Sequence, residues 1–497
     1  MLFPPTALVG IMTTTAPGDA DALEPVTASL SGGPVLERGL SNRHIQLIAI
    51  GGAIGTGLFL GSGIGIHKAG PSILLVYVVV GAMLFVMMRA MGELLLSNLG
   101  YRTFQDFAAD YLGEWARFFI GWTYWLCLIS IATADMVGVQ TYARFWWPDL
   151  PGWVPMVVAV AFVLALNLIA VKAFGEAEFW FALIKVVTIL GLIVVGLFLI
   201  VTGFTAPNGE VASVAHLWDD GGFFPNGFVG FLGGFQIAIF AFAGIELVGT
   251  TAAEAKEPEK NLPRAINQVP LRILFFYVLS LGVIMCVTPW SEIDPAESPF
   301  VALFLLVGLG GAAALINAVV LTSAVSAANS GFFSSSRMAY GLATTRQAPS
   351  VFGKLTRTAV PGNALLLSCG VVLLGGSLGL VFDDAFQLVT AVSSILFIFV
   401  WSMILASYLV YRRRRPELHA ASAYRLRFGV PLAWLVLGFF AFMLVVLGLF
   451  ADTRGPLVLT PVWFVVLGVA WMLVRRRARR GALATRQAGA RPSGPGA

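Results

Sequence analysis

About twelve apolar runs, each near the 20 residues a helix needs to cross a hydrocarbon core, follow one another along this chain with little sequence between them. They lie at about 45–66, 72–97, 116–143, 152–171, 179–202, 228–252, 271–290, 300–336, 364–381, 385–411, 428–450 and 457–474. Few folds are open to such a pattern, because in lipid every backbone N–H and C=O must be satisfied internally, and only helices and closed barrels do so. Composition agrees: 58% of the 497 residues are hydrophobic and 11% charged, where soluble domains carry about a quarter charged residues. The expectation is an all-α integral membrane protein of about 12 transmembrane helices. The eighth run is too long for one simple span, so Ser334 to Arg346 is expected to continue as an amphipathic helix at the interface.

Two runs do not read as regular helices. Ile48 to Gly63 carries glycine at 51, 52, 55, 57, 61 and 63, and each glycine costs a helix about 1 kcal/mol relative to alanine. Irregular backbone survives at membrane depth only where protein or a water-filled cavity satisfies the freed groups. Gly51 to Gly57 is therefore read as a helix break with a binding site at it. Bare N–H groups at the start of the half-helix after Thr56 and Gly57 would face an anion, and carbonyls ending the half before it, near Ala53, a cation. A zwitterion has one of each. Close helix packing through small residues is the plainer alternative. The sixth run repeats the theme, with Gly244 and Glu246 in the middle of Phe235 to Gly249. Runs one and six each open a set of five if 1–5 and 6–10 are repeats. An odd number of spans inverts the second copy, and inverted repeats with discontinuous helices at their interface are a recurrent transporter design.

Basic residues set the orientation. Lys256, Lys260, Arg264 and Arg272 join runs six and seven, Arg346, Lys354 and Arg357 follow run eight, Arg412 to Arg415 follow run ten, and Arg475, Arg476, Arg477, Arg479 and Arg480 follow run twelve. The loops between them are poor in Lys and Arg, so both termini are expected in the cytoplasm. The last arginine cluster directly follows a span and reads as an anchor on anionic membrane lipid, with no nucleic acid as partner. Residues 1–36, in which Met12 offers a second start, read as a disordered cytoplasmic tail, 37–474 as the transmembrane domain, and 475–497 as a basic disordered tail. Within the domain, repeat one is expected at about 45–202, repeat two at about 228–411 and two extra helices at about 428–474. Cys127, Cys286 and Cys369 and the four histidines are scattered, without metal or disulfide spacing. No nucleophile–base pair or phosphate loop is present, so neither an enzyme nor a metal or cofactor site is expected.

A charged group at the centre of a span costs about 2.5–3.5 kcal/mol on insertion scales and is by default a functional hypothesis. Glu246 either takes up a proton or braces the unwound backbone by accepting its N–H bonds. Lys185 is a group that changes charge readily when buried or a snorkelling lysine whose stem reaches the headgroups. Glu93 reads as structural, paired with Arg89 one turn away. Asp135 is placed near the outer water, and Asp135, Glu93 and Glu178 all stay open as participants in coupling. Thr322 to Gly331 in run eight sets hydroxyl and amide groups at helical spacing, for packing or for lining a pathway.

Three motifs carry a family resemblance. Gly-Gly-Ala-Ile-Gly-Thr-Gly-Leu-Phe (51–59), Phe-Ala-Phe-Ala-Gly-Ile-Glu (240–246) and Glu254-Ala-Lys-Glu-Pro-Glu-Lys-Asn-Leu-Pro-Arg-Ala-Ile266 resemble the bacterial amino acid permeases of the amino acid–polyamine–organocation (APC) superfamily. The similarity runs from about Leu36 to Leu473. It implies a LeuT-type fold of five plus five inverted helices with discontinuous helices 1 and 6, two extra C-terminal helices, and proton symport of an amino acid across the cytoplasmic membrane. Carried over by position, the N–H groups around Thr56 and Gly57, with Ile54 and Gly55 beside them, would hold the substrate carboxylate. The carbonyls of Ala53, Phe240 and Ala243 would hold its ammonium, with Phe240, Phe242 and Gly244 shaping the wall. Lys185 matches a lysine that stands in for a sodium ion near the first break, and Glu246 a glutamate tied to gating or protonation. Within the family, Phe235 to Glu254, Val287 to Trp290 and Ser326 to Gly331 are most similar to members that carry D-serine, D-alanine and glycine. Carriers of aromatic amino acids, proline or γ-aminobutyrate, and a non-transporting amino acid sensor, are the alternatives. Whether the chain acts as a monomer or a homodimer is left open.

Overall fold

The computed structural model describes residues 54–101, 103–169, 171–247 and 257–489. The tail 1–36, Ala53 with the rest of the first half of run one, the Glu254 stretch and residues 490–497 lie outside the described residues.

In run one the described chain begins at Ile54, and helix starts at Thr56, inside the stretch where a break was expected. Gly55 is extended, with φ −136° and ψ −158°, and precedes α1 (Thr56–Phe59) and α2 (Gly61–Ala69). A 3-10 turn at Gly70–Ser72 then leads into α3 (Ile73–Ser97). Gly70 has φ +60°, and a Cβ there would lie 2.3 Å from Pro225 Cγ, so both conformation and space demand glycine. Then come α4 (Phe104–Leu112), opened by a Thr103–Asp106 capping box, and α5 (Glu114–Ala143). The first half of the chain closes with α6 (Trp153–Ile169) and α7 (Val171–Thr202).

The second half opens with α8 (Gly227–Ala241), which stops where the sequence places the second break. Gly244 there has φ +92°, a conformation L side chains rarely adopt. Run seven is longer than expected: α9 (Pro258–Asn267), α10 (Val269–Arg272), a π-helical stretch Ile273–Leu279 and α11 (Ser280–Val287) form one continuous path. Run eight divides, but not at Ser334. A short α12 (Pro299–Leu306) ends before Gly308, whose φ is +76°, and α13 (Gly310–Thr344) then runs unbroken through the segment expected to lie at the interface. The remaining helices are α14 (Gly362–Gly376), α15 (Ala385–Arg414), α16 (Pro416–Ala421), α17 (Gly429–Leu449) and α18 (Ala451–Gly489). Helix α18 starts before residue 457 and continues past 474, so 475–489 is helical where a disordered tail was expected.

Among the described residues, nine stretches are long and apolar enough to cross a membrane, and α6 and α8 are shorter apolar helices beside them. The α5 span is 83% buried and the α18 span 11%. That contrast makes α5 the axis of the helix packing and α18 a peripheral helix, whose exposed Val458, Leu459, Val462 and Val465 suit lipid rather than water. Helix ends meet in two sets. Lys68 pairs with Asp452, Asn226 Nδ2 donates to the Lys68 carbonyl at 3.0 Å and Trp290 Nε1 to that of Asp220 at 2.9 Å. At the opposite ends, Arg89 donates to Asn267 Oδ1 at 3.1 Å and Gln347 to Glu114 at 2.9 Å. The chain is a multi-pass helical membrane protein.

Candidate substrate site at two helix breaks

The two breaks touch. A Cβ added to Gly57 would lie 2.8 Å from Ala241 Cα and 3.2 Å from Phe240 Cδ1, so the start of α1 rests directly on the end of α8. Only glycine permits that approach, which gives Gly57 a packing reason beyond its effect on helix propensity.

Each break has its own bracing. At the first, Ser323 Oγ of α13 donates to the Ile54 carbonyl at 3.1 Å, and the Thr56 hydroxyl donates to Asp135 Oδ1 of α5 at 2.7 Å. At the second, Tyr277 of the π stretch donates to the Ala241 carbonyl at 2.8 Å. Glu246 accepts from Tyr124 of α5 at 2.9 Å and from Trp401 Nε1 of α15 at 3.2 Å, and the backbone amides of Gly244 and Glu246 also act on its carboxylate. Carbonyl groups freed by broken helices in a low-dielectric interior need such partners. These contacts tie Glu246 to α5 and α15.

Asp135 is 1% exposed and sits against the first break, not near outer water. Among the described residues its Oδ2 is buried without a hydrogen-bond partner, and Gly55 is a close neighbour, since a Cβ there would lie 3.6 Å from Oδ1. The remaining aromatic wall is split. The Phe240 ring meets Phe386 edge-on at 6.0 Å, whereas Phe242 packs into a cluster with Tyr77 and Tyr277, at 5.9 and 4.7 Å between centroids. The Phe240 carbonyl accepts from Ala243 N at 2.9 Å, which leaves it a second lone pair. Ala243 and Gly244 both lie in the turns that follow α8. Ala53 is outside the described residues, so its carbonyl has no described place here.

Lys185 does not snorkel. It is 2% exposed, and Nζ donates to Ser326 Oγ of α13 at 3.2 Å. Ala327, the next residue, faces Gly55, with 3.3 Å from its Cβ to an added one. Glu178, seven residues before Lys185 on α7, accepts from Ser326 Oγ at 3.0 Å and from Asn329 Nδ2 at 3.0 Å. Asn329 in turn accepts from Asn167 of α6 at 2.8 Å. The hydroxyl and amide stripe of run eight therefore joins Ile54 at the first break to Lys185 and Glu178.

Glu93 is not paired with Arg89. It is fully buried and holds His419 Nδ1 at 2.5 Å, Leu426 N–H at 2.7 Å and the Tyr408 hydroxyl at 3.2 Å. Arg89 instead reaches Asn267 and the Arg425 carbonyl and stacks over Tyr424 at 4.0 Å. Sequence reasoning missed Tyr124, Tyr277 and Trp401, because aromatic residues in apolar runs carry no mark of the partner their polar atom finds.

The family model described as amino acid permease matches residues 44–483. The chain is 57% identical over 446 residues, 89% of its own length and 95% of the relative's, to the D-serine/D-alanine/glycine transporter of Escherichia coli K12. It is 54% identical to the amino-acid permease AapA of Bacillus subtilis, covering 90% of this chain and 96% of that one. It is 40% identical to the aromatic amino acid transport protein AroP of Escherichia coli O6:H1, covering 90% and 98%. With the family model matching most of its length and relatives this similar, the chain belongs to the amino acid permease family.

Proposed function

We propose that this permease imports small neutral amino acids, D-alanine, D-serine and glycine foremost, by proton symport across the bacterial cytoplasmic membrane. The observation that carries the reading is the contact of the two breaks at Gly57, Phe240 and Ala241. A ligand held there by backbone groups meets N–H groups of Thr56 and Gly57 with its carboxylate and carbonyls of Phe240 and Ala243 with its ammonium. Two substituents of the α-carbon are then fixed. Breaks packed this closely, with Ile54 and Phe240 beside them, suit a third substituent that is small or absent. The likeness to a carrier named for D-serine, D-alanine and glycine points the same way. The 40% identity to an aromatic amino acid carrier favours aromatic substrates as the second reading, and a larger pocket would have to open beside Phe240 to admit them.

The same reading arranges the chain as twelve helices, with 1–5 and 6–10 as inverted repeats and α17 and α18 outside them. The ends that carry Arg89, Gln347 and Arg412 to Arg415 then face the cytoplasm with both termini. Lys185 is the proton-responsive group, with Glu246 holding the second break in shape. The test is transport by a Lys185→Ala variant in proteoliposomes. It is expected to abolish accumulation driven by a proton gradient while some exchange of substrate remains, and unchanged accumulation refutes the coupling role.

A further inference from the structure

Lys185 and Glu178 are both 2% exposed, lie seven residues apart on one face of α7, and meet the same hydroxyl on α13. Ser326 accepts from Lys185 Nζ at 3.2 Å and donates to Glu178 Oε2 at 3.0 Å. Hydroxyl, ammonium and carboxylate are thus ordered donor to acceptor in one direction. We propose that this is a proton relay, in which Lys185 passes the coupled proton through Ser326 to Glu178, and Glu178 releases it towards the cytoplasm. The proposal rests on the symport reading and adds to it the exit residue.

The step balances. One proton leaves Lys185 for Ser326 Oγ as the Ser326 hydroxyl proton moves to Glu178 Oε2. The serine is regenerated, the ammonium becomes a neutral amine and the carboxylate a neutral acid. The pair carries no net charge before or after, so the transfer places no uncompensated charge in the apolar interior, where one is costly. Release of the Glu178 proton to cytoplasmic water and reprotonation of Lys185 from the other side complete the cycle. Seven residues of helix set the Glu178 backbone about 10 Å nearer than that of Lys185 to the end at which α7 begins, while the two side-chain ends meet at Ser326. In the proposed orientation the end at which α7 begins is the cytoplasmic end.

The surroundings suit a carboxyl that changes protonation without leaving its place. Asn329 donates to Glu178 Oε1 and is itself held by Asn167, so that oxygen stays fixed while Oε2 faces the serine. Asp135 is the second carboxylate near Lys185. Ser323, one turn before Ser326, holds the Ile54 carbonyl, so movement at the first break reaches the relay through a single face of α13. A purely structural tie between α7 and α13 would need the hydrogen bonds but not a transferable proton, and the two roles separate in transport.

The experiment uses the full chain in proteoliposomes and compares gradient-driven accumulation of labelled D-alanine with its exchange at equal pH on both sides. Ser326→Ala removes the bridge and leaves both ionisable groups. Glu178→Gln leaves the bridge and removes the acceptor. Each is expected to lower accumulation by about tenfold while exchange stays within about threefold of the parent. Ser326→Thr, which keeps a hydroxyl, restores accumulation. Parent-like accumulation in Ser326→Ala and Glu178→Gln overturns the relay, as does an equal loss of exchange and accumulation that Ser326→Thr fails to rescue. Should the parent accumulate D-alanine without any dependence on the proton gradient, the symport reading itself fails, an outcome distinct from either.

Discussion

The Thr56 hydroxyl donates to Asp135 Oδ1 at 2.7 Å, with both residues 1% exposed. This bond ties the start of α1 to the middle of α5, the most buried span. Removing one partner leaves the other unsatisfied, which costs about 1–3 kcal/mol. Thr56→Val and Asp135→Ala are therefore expected to lower the melting temperature in detergent and to cut uptake by about tenfold, while Thr56→Ser retains most of both. Parent-like uptake in Thr56→Val would remove the hydrogen bond from the account.

Gly57 and Gly191 make a controlled pair. A Cβ on Gly57 collides with Ala241 backbone at 2.8 Å, whereas one on Gly191 in α7 meets nothing within 4 Å. Gly57→Ala is expected to force the breaks apart and abolish uptake. Gly191→Ala should leave uptake intact and gain up to about 1 kcal/mol of helix propensity. Uptake by the two variants, measured at equal amounts of inserted protein, decides the matter.

Glu246 is braced by two side chains that reach it from α5 and α15. Tyr124→Phe deletes one donor and keeps the ring, and is expected to destabilise by about 1–3 kcal/mol; Trp401→Phe deletes the other donor and also replaces a buried indole by a smaller ring, so its loss is larger. Because both act on one carboxyl, the double variant should depart from additivity. Thermal denaturation of the four proteins of the cycle measures this, and strict additivity would argue that the two contacts are independent.

Glu93 gathers His419, Leu426 and Tyr408 and so pins the connection between α15 and α17 to the end of α3. Glu93→Ala leaves those three polar groups without their acceptor. Faster hydrogen exchange across 416–428 is expected, with the exchange of α5 unchanged. Equal exchange in parent and variant would mean that packing alone holds the connection.

What the sequence made legible was everything that depends on the bilayer or on glycine. The apolar runs located the helices, and Gly55 and Gly244 mark where α1 starts and where α8 gives way to turns, since helix propensity is a local property that needs no partner. In run eight the helix continues from Ser334 to Thr344 as expected, but the division at Gly308, with its positive φ, was not legible because a single glycine in an apolar run does not announce its backbone conformation. Arg89 and Glu93 show the other limit. Their spacing of four suggested an ion pair, but tertiary partners on α15, on α16 and in the connection before α17 claimed the carboxylate. Asp135 was visible as a charge in an apolar run, yet its depth was not, because periodicity does not say which neighbour a helix face meets. Lys185 was found for the same reason that Glu178 stayed undecided: an isolated charge stands out, and its place in a network does not.

The central claim is the substrate class, and competition against labelled D-alanine tests it most directly. The measurement is uptake into proteoliposomes containing only this protein, with an inward proton gradient and no sodium, in the presence of excess glycine, D-serine, L-phenylalanine or γ-aminobutyrate. The account expects accumulation that glycine and D-serine suppress and the other two leave alone. A preparation active with L-phenylalanine or γ-aminobutyrate that ignores D-alanine would contradict it.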